Sequence, residues 1–273
     1  MTTTDSGLDA LDTVDGLLVD LTDGVLSVTI DRPDSLNSLT AAVLTGISEA
    51  LERAAADPRV KVVRLGGTGR GFCSGAGIGA EDAGSSEAGG DPVDTLYMVN
   101  RAIRAIVNMP RPVVAVVQGP TAGVGVSLAL ACDLVLASEK AFFMLAFTKI
   151  GLMPDGGASA LVAAAVGRTR AMRMALLAER IKAPEALDWG LVSAVYPVDE
   201  FTAEVHKVID VLKVGPAVSL SKTKSAINAA ALGELDAALQ RETDGQIALL
   251  SGTDFLEGIK AFQQHRTPTF TDT

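Results

Sequence analysis

At 273 residues and 28.1 kDa, the chain has room for one large domain or two small ones, and 48% hydrophobic against 21% charged residues excludes gross disorder. A net charge of −10 without a basic block excludes a nucleic-acid partner. Uninterrupted apolar runs such as Val113 to Val117 are too short to cross a membrane. Met1 to Gly16 has neither a basic nor an apolar leader region, so a cytoplasmic protein is expected. Cys73 and Cys132, both among small apolar residues, predict buried, reduced thiols. Two histidines outside any Cys/His cluster predict no zinc site.

Six aspartates and no lysine or arginine fall in the first 23 residues, so residues 1–16 are expected to be a flexible acidic segment. Leu17 to Leu21 and Val25 to Ile30 flank Thr22-Asp23-Gly24 and predict a β-hairpin. Thr40 is a helix cap, followed at helical spacing by Val43, Leu44, Ile47 and Leu51. Val60 to Leu65 predicts a buried strand, and a glycine-rich turn runs from Gly66 to Gly79. The polar stretch 81–91 predicts a loop or a lid. Leu96, Val99, Ile103 and Ile106 predict a helix that ends before Pro110.

A second buried strand, Val113 to Gln118, leads into Gly119 to Gly125 and a small-residue helix ending near Cys132. Short strands are expected at Leu134 to Ala137 and Ala141 to Leu145, and a Gly-Pro turn then launches a helix from Ala158 to Val166. Beyond Arg168 helix dominates, with one strand expected at Leu191 to Val198. Alternating strand and helix followed by helix alone predicts an α/β fold with a separate helical layer at the end.

Two glycine turns, Gly66 to Gly77 and Gly119 to Ser127, each follow a buried strand. Neither fits a dinucleotide or P-loop pattern. The second opens a helix, where N–H groups lack intrahelical partners. Two converging N–H donors are the minimum for an oxyanion hole.

Several motifs occur in a fixed order: Arg32-Pro33-Asp34-Ser35-Leu36-Asn37, Gly69-Arg70-Gly71-Phe72-Cys73-Ser74-Gly75-Ala76, Pro112 to Gly119, Cys132-Asp133, Phe147 to Gly157, and Glu257-Gly258-Ile259-Lys260. Together they resemble the enoyl-CoA hydratase/isomerase (crotonase) family. The resemblance implies a spiral of ββα repeats over 17–198. It implies a helical oligomerisation region over 199–273 and a homotrimer or hexamer. The implied substrate is an acyl-CoA thioester, with coenzyme A part of the substrate and no further cofactor. The implied oxyanion donors are the Ala76 and Val124 N–H groups, with valine at 124 where glycine is usual.

The same resemblance implies that both hydratase glutamates are absent, since Ser127 and Phe147 stand at their positions. Gly77 stands where aspartate is usual. Asp155, in Met153-Pro154-Asp155-Gly156-Gly157, is similar to the acid of an isomerase branch whose base lies in such a turn, and is the expected proton shuttle. Read without the family, the same aspartate is a turn or cap residue. Gly75, Gly77, Ile78, Gly123, Ser127 and Phe147 are expected to line the substrate, with Phe147 desolvating the acid. Arg32 and Arg70 are expected at the coenzyme A phosphates, with Lys149 and Lys260 as further candidates. Leu96, Tyr97 and Met98 are candidates for the acyl tunnel or for plain core. The family's C-terminal lysine is matched here by His265.

Three other readings stay open. One is an enoyl-CoA hydratase. Another is a non-catalytic acyl-CoA-binding or assembly protein. In the third, Gly125-Val126-Ser127-Leu128-Ala129 resembles a nucleophile elbow with Asp155 and His206 following in hydrolase order, though the final glycine is missing.

Overall fold

The computed structural model describes residues 14–77 and 92–271. Strands β1 (Leu17–Thr22) and β2 (Val25–Ile30) form the expected hairpin. Asp23 and Gly24 both have positive φ, 49° and 79°, the backbone of a two-residue type I′ turn. The hairpin edges a six-stranded sheet ordered β1-β2-β3-β4-β6-β9. Here β3 is Val62–Gly67, β4 is Val113–Val117, β6 is Leu134–Ser138 and β9 is Ala194–Tyr196. From β2 onward every pairing is parallel. A second sheet joins β5 (Pro120–Ala122), β7 (Phe142–Met144) and β8 (Ile181–Lys182).

The parallel strands are buried on both faces, which explains their unbroken apolar sequence. Val63, Leu65, Val113, Ala115, Val117, Val135 and Ala137 belong to the main core. Their alternates Val62, Val114, Val116 and Leu136 face a second core, closed by Phe201, Val205 and Ile209. Those three lie on α6 (Phe201–Lys213). The main core is closed by α1 (Ala41–Ala54), α2 (Pro92–Asn108), α3 (Val124–Ala131) and α4 (Ala158–Leu177). Thr40 caps α1, its hydroxyl accepting from the Val43 N–H at 3.2 Å. Inside α4, Gly167 has φ 75° and ψ 161°, the break expected between residues 166 and 168.

The remaining helices are α5 (Ala183–Trp189), α7 (Ala217–Ala231), α8 (Leu235–Leu250) and α9 (Thr253–Gln263). This is the α/β architecture expected, alternating elements followed by a helical region. Two strands, β5 and β8, went unread because they are only three and two residues long. The strand expected over residues 191–198 shrinks to β9, since Leu191 and Val192 pack into the core without pairing. In the helical region expected to form the oligomer interface, Leu235 and Leu239 are buried within the chain, at 6% and 0% exposure. Ile227 does remain exposed.

Candidate active site

The site forms where the loops after β3 and β4 meet. Asn37, fully buried, donates its side-chain amide to the Thr68 and Gly71 carbonyls at 2.9 and 2.8 Å. The Gln118 amide donates to the Gly67 and Gly71 carbonyls at 2.7 and 2.6 Å. These two side chains clamp the first glycine loop. The loops then bond directly: Phe72 N–H donates to Pro120 O at 3.0 Å and Ala122 N–H to Cys73 O at 2.9 Å.

Ala76 lies in an isolated parallel bridge with Leu39. Leu39 uses Gly75 O and Gly77 N–H, at 2.8 and 3.2 Å. Successive peptides of an extended chain point to opposite sides, so the Ala76 N–H is turned away from Leu39. Val124 is the first residue of α3, and its N–H has no intrahelical acceptor. Neither N–H is hydrogen-bonded among the described residues. The two peptides are neighbours. A Cβ built on Gly75 would stand 3.5 Å from the Val124 nitrogen and 3.1 Å from Ala122 O. Gly75 also has φ +98°, a conformation that disfavours any side chain. Gly123, at φ 54° and ψ −130°, turns the chain into α3. The Phe147 ring is 3.8 Å from the point where a Cβ on Gly123 would stand.

Asp155 precedes α4 and is 6% exposed. The Ser127 hydroxyl donates to its main-chain carbonyl at 2.8 Å. Ser127 is three residues beyond Val124, a helix rise of about 4.5 Å, so the acid is tied close to the paired N–H groups. Asp155 Oδ2 accepts from Gln246 Nε2 at 2.8 Å. Its Oδ1 is buried and accepts no hydrogen bond among the described residues. Burial pushes the carboxyl up to about 7; the Gln246 bond works against this and the Glu242 charge adds to it.

Glu242 is itself buried, and both its oxygens are occupied. Oε2 accepts from Gly157 N–H at 2.6 Å and Oε1 from Ser159 N–H at 2.7 Å. A carboxylate on the first N–H groups of α4 is favoured by the helix dipole. Burial nevertheless holds the Glu242 carboxyl above its ordinary range.

The sequence reading missed this α8 support. Leu235, Leu239, Glu242, Thr243 and Gln246 are all buried at helical spacing. Three polar residues on a buried stripe were the available signal.

The structure places the other expected residues as follows. The Arg32 guanidinium donates to Ser38 O and Oγ at 2.8 and 2.6 Å, and so braces its own loop. Arg70 is exposed beside the clamped loop. Lys149 is exposed, its ammonium 3.7 Å from Met144 Sδ. Leu96 is buried core, Met98 packs against that core and Tyr97 is 56% exposed. Gly77 follows Ala76 and donates to Leu39 O, while Ile78 and the stretch 81–91 lie outside the described residues.

The hydrolase constellation does not assemble. Ser127 is in the main core region, its hydroxyl spent on Asp155 O. His206 is exposed on α6, across the sheet. Both cysteines are free and buried, and burial pushes the Cys73 thiol up to about 12. Among the described residues, no group of three or more His, Cys, Asp or Glu side chains could hold a metal ion. No described helix is long and apolar enough to cross a membrane.

Comparison with known proteins shows the family of the chain. The profile described as Enoyl-CoA hydratase/isomerase matches residues 20–273. The chain belongs to the enoyl-CoA hydratase/isomerase family. A "Probable enoyl-CoA hydratase" of Rhodobacter capsulatus is 39% identical over 254 residues, 92% of this chain and 96% of its own. The 1,2-epoxyphenylacetyl-CoA isomerase of Escherichia coli K12 is 34% identical over 251 residues, 91% of this chain and 95% of its own. A crystal structure of an enoyl-CoA hydratase from Mycobacterium avium subsp. paratuberculosis K-10 is 68% identical, with a TM-score of 0.89 over 95% of this chain and all of that one. Relatives of this enoyl-CoA hydratase/isomerase family chain thus carry both hydratase and isomerase names.

Proposed function

We propose that the protein isomerises 3-enoyl-CoA to 2-enoyl-CoA, with Asp155 as the proton shuttle and the Ala76 and Val124 N–H groups as the oxyanion hole. Asp155 takes a proton from C2 of the acyl group. The electron pair moves onto the thioester oxygen, which the two N–H groups stabilise as a dienolate. The carboxyl then returns the proton at C4, and the double bond moves into conjugation. No net proton is gained or lost.

One observation carries this reading: Asp155 is buried with one unpaired oxygen and a carboxyl near neutrality, which suits a group that must both accept and give a proton. Gly75, Gly77, Gly123 and Phe147 line the thioester in this reading. Ser127 fixes the acid. Arg70 is a proposed contact of the coenzyme A phosphates.

Hydration is the second reading, since a relative bears that name. It asks for one group to activate water and another to deliver a proton. The second buried carboxylate near the turn, Glu242, has both oxygens engaged by α4. This favours isomerisation.

The test is Asp155→Asn, assayed with 3-hexenoyl-CoA and with crotonyl-CoA. Isomerase turnover should fall by about 10²–10⁴-fold with little change in acyl-CoA affinity. Full isomerase activity in the variant, or wild-type crotonyl-CoA hydration that outpaces isomerisation, overturns the assignment.

A further inference from the structure

Resting on the isomerase reading, we propose that Gln246 is the positioning residue of the shuttle: it holds Asp155 Oδ2 so that Oδ1 alone takes the proton from C2 and returns it at C4. Gln246 is 1% exposed and its amide is fully committed. Its Nε2 donates to Asp155 Oδ2 at 2.8 Å and to Met153 O at 2.9 Å. Its Oε1 accepts from Met153 N–H at 3.2 Å. The side chain therefore reads the backbone two residues before the acid and the acid itself. A carboxylate free to rotate offers either oxygen to the substrate. One pinned through Oδ2 offers one oxygen, in one direction.

The chemical consequence concerns the proton's path. One C–H bond breaks at C2 and one O–H bond forms on Oδ1. The same O–H then breaks as a C–H bond forms at C4. With Oδ2 engaged by Gln246 and the carboxyl buried, transfer of the Oδ1 proton to Oδ2 is disfavoured and access to water is small. It is delivered before it exchanges. The 3-enoyl and 2-enoyl isomers are then linked by transfer on a single face of the substrate.

The groups that meet the Asp155 turn are few. Helix α8 brings the charged Glu242 and the neutral Gln246. Helix α3 brings the Ser127 hydroxyl, and α2 brings Val99 against Gly156. Among the described residues only Gln246 donates a hydrogen bond to the carboxylate, so its loss destabilises the charged form and raises the pH at which the base is ionised.

The test uses 3-hexenoyl-CoA carrying two deuterons at C2, in ordinary water, with Gln246→Met and Gln246→Glu. Wild-type protein should carry deuterium from C2 to C4 in most early turnovers. In Gln246→Met, retention at C4 should drop at least threefold. Its kcat should fall about tenfold with KM within twofold, and the acid limb of kcat/KM should move up by about one pH unit. Gln246→Glu keeps the volume and should move the acid limb the same way, so it carries the test if Gln246→Met does not fold. A folded variant with wild-type kcat, acid limb and C4 retention overturns the inference. Asp155→Asn separates the two claims: inactive Asp155→Asn beside unaltered Gln246 variants removes only the role of Gln246, whereas active Asp155→Asn removes the isomerase reading beneath it.

Discussion

The Ser127 hydroxyl donates to the Asp155 carbonyl oxygen at 2.8 Å, joining the first turn of α3 to the turn before α4. Ser127 thus serves the backbone of Asp155. Ser127→Ala removes one buried donor and leaves the Gln246 and Glu242 bonds in place. It should cost about 1 kcal/mol of stability and less than about tenfold in kcat. Urea unfolding and turnover of 3-hexenoyl-CoA measure both, and a loss as large as that of Asp155→Asn would make Ser127 part of the chemistry.

Gly75→Ala should separate folding from function. Its Cβ would crowd the Val124 nitrogen and Ala122 O, in a backbone at φ +98°. The strain is on the order of 1–3 kcal/mol. The larger effect falls on the proposed oxyanion hole, where loss of one donor typically lowers kcat by about 10²–10³-fold. Circular dichroism should stay native while turnover collapses.

Asp155 should make the protein less stable as pH rises. Its folded carboxyl is raised to about 7, while the unfolded group titrates near its ordinary value of about 3.9. Between about pH 4 and pH 7 the folded state therefore holds the proton that the unfolded state has released. Stability from this group is fully present below about pH 4 and is lost as pH climbs to about 7. Asp155→Asn removes that slope. Urea titrations at pH 5 and pH 8 should show the variant gaining on the order of 2–4 kcal/mol over wild type at the higher pH.

Lys224 of α7 meets Asp133 at 2.9 Å and donates to the Ile106 carbonyl at 3.1 Å, with its side chain 8% exposed. Asp133 Oδ2 also accepts from Val113 N–H at 2.7 Å. Lys224→Met leaves a largely buried carboxylate uncompensated and should cost about 3–5 kcal/mol. Adding Asp133→Asn should recover most of that loss in the same unfolding assay.

Exposed apolar side chains on the helical region predict assembly. Val211, Val214, Val218 and Ile227 are 60–81% exposed, and Leu256 is 65% exposed. Light scattering at micromolar concentration should give a trimer or hexamer, and a monomer would contradict this.

How far the sequence could be read depended on the range of each interaction. Hairpin, buried strands and helix caps depend on neighbouring residues, so Asp23-Gly24, Val113 to Val117 and Thr40 were legible. The expectation for Asp155 rested on the resemblance of its turn, since a lone aspartate before a helix otherwise reads as a cap. Gln246 reaches it across 91 residues, and no local rule links them. Helix α8 lies in the region expected for oligomerisation, yet its Leu235 and Leu239 are buried within the chain. Their burial against Gly157 depends on how α4 begins. Arg32 is a local case, its guanidinium donating to Ser38 six residues on.

The distance from Asp155 to Gln246 also bears on the order of events at the ribosome. Both glycine loops and the acid are synthesised before α8. At about 5–20 residues per second, the 91 residues to Gln246 take roughly 5–18 s more. A nascent chain in that interval holds a carboxylate that no amide restrains. On the proposed reading, the Gln246 and Glu242 contacts form last, so a chain released before α8 would lack the residues that position Asp155.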